Sequence, residues 1–402
     1  MREPPVVLHV FETWSPITSG YVTRSRRVVE HQRELGVSEP RILVTSRQHA
    51  LAGHADPDPW GEPVSVARPS RREALVRRFR SYDLDAKHLA KAVRDEARRV
   101  GAHVVHSHFS SGIGRGALKG ARMAGLPVVS EIRFDLAGAM ASASGNPLVA
   151  RAEPILRRRF EGHHRHADAI VAASHALGRL ATSMAGNVPV FVAPNGADSI
   201  ERADEVRAEG KALRQRLGID DAVVIGTATN MLAYEGLDRL APMVRDMPDV
   251  ALLFVGEGAA LVALKEQTAR LGVRAVFTGR VPPEAVPAHI AALDIFAIPR
   301  PPSTVTAFAS PLKLAEAMAI GSAVVATDQG DIAYMLGSDH GRVVAPDDDA
   351  AFAIALRELT TSPELREELR ERTRARARAE MTWADTVRAY KDVYAHALGA
   401  AS

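Results

Sequence analysis

The chain has 402 residues, 46% of them hydrophobic and 25% charged, too long for a single core and too apolar for a disordered class. Lys and Arg number 51 against 48 Asp and Glu, a net charge of only +3, which is too small a surplus for a dedicated nucleic-acid surface. With no cysteine a disulfide framework, a thiolate nucleophile and a cysteine metal site are excluded, which suits a reducing cytoplasm.

The first residues, MREPPVVLHVFETW, lack the apolar core of a signal peptide. No window of about 20 residues is apolar enough to span a bilayer, though peripheral membrane contact is compatible with the composition. Val6 to Val10 reads as a strand, followed by a loop holding Gly20 and an amphipathic helix. Gly20 lets a backbone approach a ligand at the sheet's carboxyl edge. Arg24, Arg26 and Arg27 fall in the helix's first turns, against its dipole, which points either to a bound anion or to a solvated face.

Arg41 to Thr45 reads as the second strand and Arg47 to Ser70 as a long connection. Arg71 to Arg99 reads as a basic helical region, a solvated face or a patch for an anionic acceptor or lipid surface. A strand from His103 to Ser107 is expected to send His106 and His108 to opposite faces, leaving one histidine at its end. Gly125 to Asp135 is a further strand that delivers Glu131, Ile132 and Arg133 to a carboxyl end. Arg151 to His166 reads as a helix whose His163, His164 and His166 are solvated, and Pro189 to Asp198 closes the first domain. The polar helix that follows has little apolar surface, which places a linker between about Asn195 and Asp221.

In the second half, Gly226 and Thr227 end a strand that leads to Thr229, Asn230, Glu235 and Gly236. Val250 to Leu261 reads as strand, turn at Gly256, and helix. Another strand ends near Arg280 and Val281, and another at Pro299, just before Arg300. Residues after each strand should line one edge of an open parallel sheet. Then comes Ser310 to Ala326, SPLKLAEAMAIGSAVVA, a loop, helix and buried strand. Lys313 supplies a point charge, the helix start supplies free N–H groups, and Glu316 supplies a paired acceptor one turn on. An anion and a sugar diol fit such a corner.

The run from Pro311 to Ala319 and the G-x-x-V-V-A-T that follows it resemble the donor-nucleotide signature of the retaining family-four glycosyltransferases. The resemblance implies an α/β chain of GT-B fold, with two Rossmann-like domains facing each other across a cleft. Residues 1–197 would bind acceptor and residues 198–382 the nucleotide sugar, with a last helix at about 383–402 returning to the first domain. It implies that Lys313 meets the diphosphate, that Glu316 holds the ribose, and that Arg280 and Val281 sit at the base; Arg300 is expected to share the leaving-group role with Lys313. Gly20, Thr229, Asn230, Gly256, Ser310, Pro311 and Leu312 complete the donor site. No cofactor and no metal are expected, because the nucleotide sugar is a co-substrate and the histidines are scattered along the chain.

Three departures from the family pattern stand out. Arg133 replaces a histidine that touches the transferred sugar, which makes His108 the better candidate for contact with acceptor or sugar. Asn230 and Glu235 replace two basic residues at the diphosphate. Phe308 replaces a glutamate eight positions ahead of Glu316. Glu131 to Arg133 and the Ser19, Gly20, Tyr21, Arg24 opening are similar to bacterial members associated with exopolysaccharide export. The expected activity is transfer from a UDP- or GDP-linked sugar to a small-molecule, natural-product (antibiotic or thiol precursor) or glycan acceptor. The rival readings are a non-catalytic nucleotide-sugar-binding relative and a nucleotide-sugar epimerase of the same fold.

Overall fold

Apolar runs such as Val250–Val255 and Ala323–Thr327 are what strands buried on both faces require, and the described residues contain thirteen strands in two parallel sheets. The computed structural model describes residues 3–68, 86–108, 111–143, 147–198 and 202–399. The chain divides into one unit of residues 1–195 with 383–402, and a second of residues 196–382.

The first unit holds β1 (Val6–Phe11), β2 (Glu39–Val44), β3 (Ser65–Val66), β4 (Val104–Ser107), β5 (Val128–Ile132), β6 (Ala169–Ala172) and β7 (Val190–Val192). They run side by side in the order β3-β2-β1-β4-β5-β6-β7. The second unit holds β8 (Val223–Ala228), β9 (Val250–Val255), β10 (Ala275–Gly279), β11 (Ile295–Ile298), β12 (Ala323–Thr327) and β13 (Arg342–Val344), in the order β10-β9-β8-β11-β12-β13. Each order reverses direction once, between β1 and β4 and between β8 and β11. At such a switch point, connections leave to opposite sides and a crevice opens beyond the carboxyl ends. Leu252 and Phe254 on one face of β9, and Ala251 and Leu253 on the other, belong to separate buried clusters, so the second sheet is covered on both sides.

Several expectations are corrected. The span expected to be a linker contains the helix Ala203–Leu217, packed into the second unit. Leu213 is buried in the core of that unit with Leu217 packed beside it; a Cβ at Gly210 would lie 2.7 Å from the Ala291 backbone, and Arg214 binds the Ala292 carbonyl at 2.6 Å and pairs with Asp294 at 2.6 Å. The connection after β2 contains the helix Ser46–Ala52 and strand β3. Of the basic helical region, Ala86–Val100 is a helix and residues 71–85 lie outside the described residues. Instead of one helix to His166, Glu153–Phe160 is followed by a separate 3₁₀ turn, His164–His166. His163 and His164 are buried rather than solvated, and His164 Nδ1 lies 2.8 Å from Ser130 Oγ. The last helix, Trp383–Gly399, buries Trp383, Tyr390 and Tyr394 within the first unit.

Candidate functional site

The second unit gathers its charged groups at the switch point. β8 ends at Ala228 and presents Thr229 and Asn230, while β11 ends at Ile298 and presents Arg300. Thr327, at the end of β12, fixes the Arg300 backbone by donating from Oγ1 to its carbonyl at 2.8 Å. The helix Leu312–Ile320, capped by Pro311 and ended by Gly321, places Lys313 in its first turn. Lys313 Nζ donates to Thr229 Oγ1 at 3.0 Å and forms an ion pair with Glu235. Arg300 donates to the same carboxylate twice, Nε to Oε2 at 3.0 Å and Nη2 to Oε1 at 3.1 Å.

Burial makes this arrangement electrostatically demanding. Arg300 and Glu235 side chains are each 7% exposed and Lys313 is 10% exposed. Burial, with Arg300 adding to it, pulls Lys313 down to about 7, against the opposing pull of Glu235. Burial alone raises the Glu235 pKa, but Lys313 and Arg300 more than reverse this and bring it to about 2. A glycine fixes the carboxylate's position. Glu235 ends the 3₁₀ turn Ala233–Glu235, and Gly236 follows at φ +65° with a hypothetical Cβ 2.2 Å from the Pro299 carbonyl. No L side chain fits there without displacing the strand end that carries Arg300.

The other expected donor residues occupy varied surroundings. Gly256 has φ +123°, and its Cβ would lie 2.1 Å from the Thr229 carbonyl, so it sets the backbone under the lysine's acceptor. Arg280 is 61% exposed and pairs with Glu257 at 2.6 Å, while Val281 packs half-buried on the core. Asn230 is exposed, Ser310 is buried, and Leu312 and Glu316 are half-buried. Phe308 is also half-buried.

In the first unit a closed polar circuit forms behind the strand ends. His106 and His108 share a face, as residues two apart on a strand must, and their rings stack at 3.9 Å; the expectation of opposite faces is overturned. Arg133 Nη2 donates to His108 Nδ1 at 2.7 Å, which leaves His108 Nε2 to donate to His9 Nδ1 at 2.8 Å and His9 Nε2 to Gln32 Oε1 at 3.1 Å. Gln32 Nε2 meets the Tyr394 hydroxyl at 3.0 Å, which lies 2.8 Å from His106 Nδ1. His106 Nε2 stands 3.4 Å from Glu131 Oε2. This order of donors needs His9 and His108 neutral. Burial, the largest influence, agrees, holding His9 and His108 well below 6.5 and lowering His106.

Glu131 closes the circuit. Its carboxylate accepts from Arg133 Nε at 2.7 Å, Arg24 Nε at 3.1 Å and the Tyr390 hydroxyl at 2.7 Å. Arg24 therefore has its anion inside the protein, and Arg26 and Arg27, partly exposed, pair with Glu30 on their own helix, so of the two readings Arg26 and Arg27 follow the solvated face and Arg24 follows neither. Arg133 also donates to the Tyr21 carbonyl and to Ser25 Oγ and lies over the Tyr21 ring at 4.5 Å. Four of its hydrogen bonds are thus internal, and His108 is fully buried. Both expected contact residues are held by the protein's own groups.

The histidines are not scattered: His9, His106 and His108 bring ligand nitrogens within 4.8 Å of one another. Their geometry suits hydrogen bonding better than an ion. The ring nitrogens of His9 and His108 already meet one another, Gln32 and Arg133, and the guanidinium groups of Arg133 and Arg24 lie near enough to act on the trio. At Gly20, no protein atom lies within 4 Å of a hypothetical Cβ, so the chain's own packing does not require a glycine there.

Two family models divide the chain between them: "Glycosyltransferase Family 4" matches residues 14–200 and "Glycosyl transferases group 1" matches residues 222–362. The chain belongs to the family-four glycosyltransferases. A GDP-mannose-dependent alpha-mannosyltransferase of Mycolicibacterium smegmatis is 28% identical over 337 residues, 80% of this chain and 79% of that protein. A GDP-mannose-dependent alpha-(1-6)-phosphatidylinositol monomannoside mannosyltransferase of the same organism is 29% identical over 167 residues, 40% of this chain and 44% of that protein. The crystal structure of Anabaena HepE in complex with UDP superimposes with TM-score 0.71 over 97% of this chain and 99% of that one, at 18% identity, and shows the shared GT-B fold.

Within this glycosyltransferase, the departure at Glu235 takes the form of pairing with basic neighbours. It stands where the family has a base, and the structure turns it onto Arg300 and Lys313. Tyr390, Tyr394 and His9 carried no local signal, because each acts through a partner far away in the chain.

Proposed function

We propose that the enzyme transfers a sugar, with retention of anomeric configuration, from a UDP- or GDP-linked donor to a hydroxyl of a small-molecule or glycan acceptor. The observation that carries this reading is the convergence of Arg300, Lys313 and the start of the helix Leu312–Ile320 at the β8/β11 switch point. Two cations and a helix N-terminus are suited to a leaving group that gains negative charge as the glycosidic bond breaks. Under this reading Glu316 takes the ribose hydroxyls, and Arg280 and Val281 border the base. The names of the mannosyltransferase relatives favour guanine, and the UDP complex of HepE favours uracil.

Same-face transfer asks little covalent work of the protein. The donor's own phosphate oxygen takes the acceptor's proton, so orientation and charge stabilisation carry the rate. Thermal unfolding with UDP and GDP tests the donor, because a ligand of the folded state raises the melting temperature by mass action. Nucleotide release from UDP-glucose or GDP-mannose, measured with candidate acceptors, tests transfer. Failure of both nucleotides to stabilise the fold would overturn the donor reading.

A further inference from the structure

Arg300 and Lys313 are buried side by side, and two like charges in such a place repel. Glu235 holds them together. It occupies Nε and Nη2 of the guanidinium and one of the three N–H groups of the ammonium, and Thr229 takes a second. Arg300 Nη1 remains, buried and without a hydrogen-bond partner among the described residues. An orphaned donor of this kind is costly to keep, and here it lies on a side chain whose other nitrogens and backbone are fixed.

We propose that Glu235 is a positioning residue, a built-in counter-ion that holds Lys313 charged and directs Arg300 Nη1 toward one phosphate group of the donor. This rests on the donor reading above. The frame exists before any ligand arrives: Gly236 locks the turn of Glu235 against Pro299, and Thr327 holds the Arg300 carbonyl. One carboxylate against two cations leaves a net charge of +1, enough to attract a phosphate without the repulsion of a bare pair.

The arrangement has a pH signature. Arg300 and Glu235 face Lys313 directly, the Tyr234 phenol lies in the field of both, and Glu316 follows one turn later on the lysine's own helix. Of these, Glu235 is the group that favours the ammonium form, while burial and Arg300 oppose it. Removing its charge therefore discharges Lys313 at a lower pH, and binding that needs the ammonium fails earlier as pH rises.

Calorimetric titration of UDP, GDP and inorganic pyrophosphate into the full chain between pH 6 and 9 tests this. Glu235→Gln is expected to weaken binding about tenfold at pH 8, to lose less at pH 6, and to move the alkaline limb down by about one pH unit. Glu235→Asp is expected to recover part of the loss, and it carries the test if the Gln variant does not fold. Binding that is unchanged or tightened in Glu235→Gln would overturn the proposal, since the carboxylate would then be inert or a competitor of phosphate. Nucleotide binding without dependence on residue 235 sinks this inference and leaves the donor reading standing. Pyrophosphate binding that depends on residue 235, with no binding of either nucleotide, overturns the donor reading and with it the assignment of Arg300 Nη1 to a donor phosphate, and leaves only Glu235 as counter-ion of the cation pair. No binding of any of the three overturns both.

Discussion

The hydroxyl of Tyr390, on the last helix, donates to Glu131 on β5 at 2.7 Å across 259 positions of sequence. The same hydroxyl accepts from Arg24 Nη2 at 3.1 Å, so one phenol joins the C-terminal helix to the ion pairs of the first sheet. Without the helix, Glu131 and two arginines would lose the cover that makes their interaction strong.

Tyr390→Phe removes the hydroxyl that donates to Glu131 and accepts from Arg24 and should cost about 1.5–3 kcal/mol of stability, since Arg24 Nη2 keeps the Ala193 carbonyl as a partner. Glu131→Gln should cost more, about 3–5 kcal/mol, because Arg24 and Arg133 would be left buried without their anion. Denaturant unfolding of the first unit measures both. An equal loss in the two variants would remove Glu131 from the centre of the network.

Acid should destabilise the protein from about pH 6.5 downward. His9, His108 and His164 are held neutral well below the ordinary value of 6.5, chiefly by burial. The unfolded chain takes up protons there that the native chain refuses, so stability falls as pH falls, by about 1.4 kcal/mol per pH unit for each such histidine. Glu131, kept well below 4.5 because Arg133 and Arg24 outweigh the burial that raises it, stabilises above that range and loses its contribution only as pH drops further, toward its folded value. Unfolding free energy measured from pH 8 to 5 checks this, and a flat profile would mean that the histidines open to solvent.

Lys313→Ala should lower kcat/KM by about 10²–10³, or about 2.7–4 kcal/mol of transition-state stabilisation, as for loss of one preorganised donor to developing charge. Arg300→Ala should approach the same loss, although Glu235 then pairs with Lys313 alone. The fold should survive Lys313→Ala, since a charge that burial opposes is removed. Steady-state transfer kinetics decide the matter, and a wild-type rate in Lys313→Ala would exclude the loop from catalysis.

Glu316→Gln keeps one acceptor and loses the charge-assisted pair to a diol. Nucleoside diphosphate affinity should fall by a few-fold to tenfold, or about 1 kcal/mol, while inorganic pyrophosphate affinity should not change. An equal loss for both ligands would place Glu316 at the phosphates.

Much of the fold could be read locally. Apolar runs such as Val250–Val255 and Ala323–Thr327 announce strands buried on both sides, and Gly321 announces the end of the helix that carries Lys313 and Glu316. The loop and helix that carry Lys313 and Glu316 were legible because they are contiguous in sequence. The docking of the helix Ala203–Leu217 was misjudged because its apolar contact is narrow, Leu213 and Leu217 beside a close approach at Gly210, within an otherwise polar sequence.

Partnership across the chain was not legible. Glu235 reads in isolation as the loss of a base, and Arg24 as a cation lacking an anion; their partners lie 65, 78 and 107 positions away. Which charges are satisfied internally depends on which strand ends become neighbours, and sheet order rather than sequence order sets that. The residue types and the signature loop were therefore decided by the chain itself, whereas the ion pairs, the neutral histidines and the one orphaned nitrogen of Arg300 exist only once burial lowers the dielectric around groups that folding brings together.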